Sequence, residues 1–134
     1  MDDGRDGAAP TAPAYHHLGD APWETAADAP PELRELAEQA TSIGARRAQV
    51  TTGAIGFHSQ LSELPPGFEV PPHSHDAHEL MVVIEGGCEV EGGPELAAGD
   101  LAEIPAGVQY GFVVGDRGMR FLVVRPEAST TTLG

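Results

Sequence analysis

The body of this chain is predicted to be an all-β sandwich or barrel, on three observations. Short apolar runs recur from Ala45 to Pro126. Gly and Pro clusters cut them at spacings of about 8–12 residues, the pattern of short strands and tight turns. The gaps are also too short for the crossover helices that a parallel sheet needs, which excludes an α/β fold.

In chain order, residues 1–31 are rich in Ala, Pro, Asp and Gly and carry too little apolar surface to offset the entropy of ordering them. They are expected to form a flexible arm, with Tyr15, Leu18 and Trp23 able to pin part of it. A short helix and linker is predicted over 32–44: Pro30 and Pro31 suit a first turn, Glu32 and Glu35 complement its positive end, Leu33 and Leu36 give an apolar edge, and Gly44 ends it. Strands are then expected at Phe57–Leu64, Leu80–Ile84, Cys88–Glu91, Leu101–Ile104, Gly111–Val114 and Met119–Val124. Gly86-Gly87, Gly92-Gly93-Pro94, Pro105-Ala106-Gly107 and Gly115-Asp116 are read as turns. The tail 127–134, Glu-Ala-Ser-Thr-Thr-Thr-Leu-Gly, is polar and expected to be disordered.

Charge narrows the function classes. The 134 residues carry 7 basic side chains, all arginine, against 21 acids, for a net charge of −14. That balance argues against nucleic acid and against anionic lipid. No apolar run approaches the ~20 residues of a spanning helix, and no basic start followed by an apolar block marks a leader. Cys88 is the only cysteine, which leaves no internal disulfide and no Cys-x-x-Cys motif. It is read as a small buried hydrophobe. The expectation is one acidic, cytoplasmic domain.

The histidines carry the chemistry. His73 and His75 are two apart, so on extended backbone both imidazoles face one side. Glu79 opens the next apolar run and can bring a carboxylate to the same point. Two imidazoles and one carboxylate on one face of an ion leave other positions free for water, O₂ or substrate. A His-x-His pair on a polar loop is the bland alternative. His78 is assigned to an exposed rim, with a swing inward as a replacement fourth ligand as the alternative, and His16 and His17 to the arm, where they can collect adventitious nickel.

The segment resembles the first motif of the cupin superfamily, G(X)5HXH(X)3–4E(X)6G, at Gly67, His73, His75, Glu79 and Gly86. The second motif, G(X)5PXG(X)2H(X)3N, is met at Gly99, Pro105 and Gly107 but has Tyr110 in place of the histidine and Val114 in place of the asparagine. The resemblance covers residues 45–126. It implies a double-stranded β-helix or jelly-roll barrel with a divalent ion in its mouth, Fe(II) favoured and Zn, Ni or Mn as alternatives. Homodimers are common among cupins of this size, so a homodimer is expected.

Three readings of Tyr110 stay open. It stands beside a His73, His75 and Glu79 site, it ligates as a phenolate, or the site has drifted and the pocket only binds a ligand. His58, Gln60, Met81 and Phe112 are further candidates for lining a small-molecule pocket. Arg117, Arg120 and Arg125, the only cations in the last third, could meet an anionic substrate, although scattered surface arginines are the more frequent explanation. Three functions compete. The favoured one is a non-haem iron-type dioxygenase or oxygenase. The second is a non-redox isomerase, cyclase or lyase with Tyr110 and Glu79 as catalytic groups, and the third a non-catalytic binding cupin.

Overall fold

The computed structural model describes residues 10–133. One helix, α1 (Arg34–Ser42), precedes eight strands: β1 (Arg46–Thr52), β2 (His58–Leu64), β3 (Glu69–His75), β4 (Glu79–Val90), β5 (Glu95–Ala97), β6 (Leu101–Ile104), β7 (Tyr110–Arg125) and β8 (Thr131–Leu133). All eight belong to one antiparallel sheet in the order β1-β2-β7-β3-β8, with β4 pairing β5, β6 and β7.

The sheet curls because β7 serves two neighbourhoods. Its residues from Met119 to Arg125 pair with β2, while Tyr110, Phe112 and Val113 pair with β3. β4 follows β7 along both parts. Alternation then sends Met81, Val83, Cys88, Phe112, Val114, Met119, Phe121 and Val123 into one core.

Two expected turns are not chain reversals. Gly86-Gly87 lies inside β4 and Gly115-Asp116 inside β7, so each pair of expected strands is a single long one. Gly86 has φ +69°, and a Cβ placed on it would stand 1.9 Å from the Gly118 carbonyl oxygen. The glycine lets β4 bend against β7, and the register slips between Gly86 and Cys88.

Both ends of the chain are more engaged than expected. The tail forms β8, whose Thr131, Thr132 and Leu133 pair with His75, Ser74 and His73. Asp76 fixes the approach to it by accepting from the Thr130 backbone N–H at 2.8 Å and hydroxyl at 2.9 Å. A polar edge strand gives no apolar signal, which is why this one reads as a frayed tail. Residues 1–9 of the expected arm lie outside the described residues. The remainder is tied to β1: the Glu24 N–H donates to the Arg47 carbonyl at 2.8 Å, and the Arg46 guanidinium sits 3.9 Å from the Trp23 ring centre.

The helix ends at Gly44, with φ +99°. The Gly44 N–H donates to the Thr41 carbonyl and the Ala45 N–H to the Ala40 carbonyl, both at 3.0 Å, a paired bond pattern that closes a helix. No residue of α1 is buried.

Candidate metal centre

β3, β4 and β7 bring the polar cluster together. His73 stands opposite Tyr110 in the β3–β7 register, and Glu79 is the first residue of β4. The His73 and His75 ring centres are 4.9 Å apart, and the Tyr110 ring lies 4.4 Å from His73 and 6.2 Å from His75. His73 and Glu79 are both buried.

Hydrogen bonds fix the roles of these groups. His73 Nδ1 is 2.9 Å from the Pro71 carbonyl. A carbonyl only accepts, so Nδ1 carries the proton and the Nε2 lone pair is free. His75 Nδ1 lies 3.1 Å from the Thr131 hydroxyl, and its Nε2 is 3.4 Å from Glu79 Oε1. The Tyr110 hydroxyl donates to Glu79 Oε2 at 2.7 Å.

Arg125, at the end of β7, donates through Nη2 to Glu79 Oε1 at 3.2 Å. Its buried Nε bonds to no protein group. Sequence reasoning left Arg125 among three arginines that could meet an anionic substrate and did not place it beside Glu79. Its signal was parity: Phe121, Val123 and Arg125 alternate along β7, and the first two point into the core. Arg120, on the opposite parity, instead bonds Glu63 through Nε at 2.7 Å.

The electrostatics follow from burial. Burial, reinforced by the charge of Glu79 and the bond to it, raises the Tyr110 phenol far above its ordinary range. The phenol is therefore neutral. Burial also lowers the His75 pKa, and Arg125 and His73 add to this while Glu79 opposes it. A neutral imidazole is the form that ligates.

These groups line a cavity of about 220 Å³, together with Gln60, Phe112 and Val123. Two expected pocket residues do not line it. The His58 ring lies against Gly53, where a Cβ would be 2.3 Å from its Nε2. Met81 is 1% exposed and belongs to the packed core. His78 is exposed on the rim, where its Nδ1 accepts the Ala106 N–H at 3.0 Å. Cys88 is buried, and burial pushes its thiol pKa up.

The donor types suit a divalent ion, since two imidazoles and a carboxylate, His73, His75 and Glu79, line this cavity. Among the described residues, however, no three His, Cys, Asp or Glu side chains form a ready-made cage. Arg125 and Tyr110 hold the two Glu79 oxygens instead.

An antiparallel sheet curled into a barrel, with a polar cluster between its strands, defines a jelly-roll protein. The family model described as the cupin domain matches residues 60–125, and this part of the chain is a cupin domain.

Three relatives place it further. It is 34% identical over 64 residues to the dimethylsulfoniopropionate lyase DddW of Ruegeria pomeroyi, a match covering 46% of this chain and 42% of the lyase. It is 25% identical to a deletion mutant of the Bacillus subtilis oxalate decarboxylase, with a TM-score of 0.59, covering 67% of this chain and 28% of the other. The polyketide cyclase RemF of Streptomyces resistomycificus has a TM-score of 0.65 at 24% identity, covering 91% of this chain and 85% of RemF, which is a likeness of fold. The chain thus spans well under half the length of the lyase and of the decarboxylase. Among the described residues, no helix is long and apolar enough to cross a membrane.

Proposed function

We propose that this chain is a metal-dependent cupin enzyme acting on a small organic molecule by proton chemistry of the lyase or decarboxylase type. The observation that carries this reading is the Tyr110–Glu79 hydrogen bond, 2.7 Å long, within the histidine-lined cavity. In this reading His73, His75 and Glu79 hold a divalent ion. Bound there, the ion would supply Lewis-acid polarisation of a substrate oxygen.

The chain's own residues do the rest. For a lyase, the Tyr110 oxygen accepts a proton from a substrate carbon while its own proton passes to Glu79, and the C–H electron pair forms a double bond as the leaving group departs with its bonding pair. For a decarboxylase, the C–CO₂ bond breaks and Tyr110 delivers a proton to the carbon left behind. In this reading Tyr110, bonded to Glu79, acts as a proton relay. The lyase and decarboxylase relatives support non-oxidative chemistry, and the Bacillus subtilis decarboxylase carries Mn(II) centres.

The oxygenase reading rests on the same donor set, which also suits Fe(II) with open positions. Turnover of small carboxylic acids by protein loaded with Mn(II), Zn(II) or Fe(II), followed by product release and oxygen consumption, separates the two. We expect product without oxygen uptake, and in Tyr110→Phe a loss of about 10²–10⁴-fold in kcat with bound metal unchanged. Oxygen uptake in step with product would overturn the proton-chemistry reading in favour of an oxygenase.

A further inference from the structure

A second cavity, about 460 Å³, lies between α1 and the barrel. Leu33, Leu36, Ala37 and Ala40 line it from the helix side, and Phe68 and Phe121 from the barrel. A helix of nine residues is marginal alone and ordinarily survives by packing its apolar stripe. This one leaves Leu36 65% exposed. Its apolar stripe faces a space instead of a packed surface.

That space adjoins the site. Arg47, Gln60, Ser62 and Phe121 line both cavities. In a chain of net charge −14, the cavity around His73 and His75 has Arg125 on its wall, paired through Nη2 with Glu79, while Arg47, which also lines it, pairs with Glu24 at 3.0 Å. The Nε of Arg125 has no partner within the protein. A carboxylate is the matching group for such a donor.

We propose that the substrate is an amphiphilic carboxylate. Its anionic head is held by Arg125 beside His73 and His75, and its apolar body passes Phe121 into the space under α1. The occupant of that space is the substrate's own body, and α1 with the segment tied to Arg47 forms its cover. This rests on the catalytic reading of the same site and adds the chemistry of the molecule it takes.

Straight-chain fatty acids test it by calorimetric titration of the full chain, with and without bound Mn(II). Affinity is expected to rise from acetate to octanoate by up to about fourfold per added methylene. Arg125→Met should weaken every member of the series. Ala40→Trp, which fills the space from the exposed helix, should weaken octanoate at least tenfold and leave acetate unchanged. Leu36→Asp should do the same, and it replaces a side chain that holds nothing together. A flat series, or octanoate binding untouched by both helix variants, overturns the proposal. Failure of the catalytic reading looks different: the chain-length series persists while no metal-dependent turnover is found.

Discussion

Glu79→Ala is expected to destabilise the fold by about 3 kcal/mol, because it strands a guanidinium that the barrel has taken out of water. The Arg125 side chain is only 16% exposed and that of Glu79 1%. Removing the carboxylate leaves Arg125 without its anionic partner and Tyr110 without its acceptor. For a domain of this size the change corresponds to a fall in Tm of about 10 °C. The defect should be specific to the unpaired charge. In Glu79→Ala/Arg125→Met, at least half of the lost stability is expected to return, since two apolar groups in place of a buried pair cost far less than one charge alone. Urea denaturation of the two single variants and the double variant checks this. Strictly additive losses would show that the pair is not coupled.

Gly86→Ala is expected to cost about 3 kcal/mol or more and to yield little soluble protein. Two costs coincide at this position. The backbone is left-handed at φ +69°, and the added carbon would stand 1.9 Å from the Gly118 carbonyl oxygen. That oxygen belongs to the facing strand, so relief requires β4 and β7 to separate at their shared bend. Gly99 provides the control. Its φ is +93° with nothing within 4 Å of a new Cβ, so Gly99→Ala should show only the conformational cost, about 1–2 kcal/mol. Similar denaturation midpoints for the two variants would contradict the close approach that bends the barrel.

The site was legible where it depends on local periodicity. His73 and His75 share a face because they are two apart on extended backbone, and Glu79 reaches them because it begins the next strand. Tyr110 was singled out by the resemblance to the second cupin motif, in which it stands in place of a histidine. Arg125 is different, because it meets Glu79 across 46 positions of sequence. Only the curl of the sheet brings the end of β7 beside the start of β4. Its parity with Phe121 and Val123 hinted at an inward side chain, but an arginine at a strand end is ordinarily read as surface.

The fold shows the same division. Gly and Pro punctuation located the strands, yet it cannot tell a reversal from a bend, so Gly86-Gly87 and Gly115-Asp116 read as turns inside what are single long strands. β8 was not legible at all. Its Thr and Leu residues are exposed, and it is a strand only because β3 offers an edge for it to pair with.

Metal analysis of the native, untagged protein tests the central claim most directly. It should use a chain with His16 and His17 replaced by alanine, so that the exposed pair before the barrel cannot contribute. The account predicts close to one divalent ion per chain, lost in His73→Ala/His75→Ala while the barrel stays folded by circular dichroism. Full metal occupancy in that double variant, or a native protein that neither contains nor takes up a divalent ion, would contradict it.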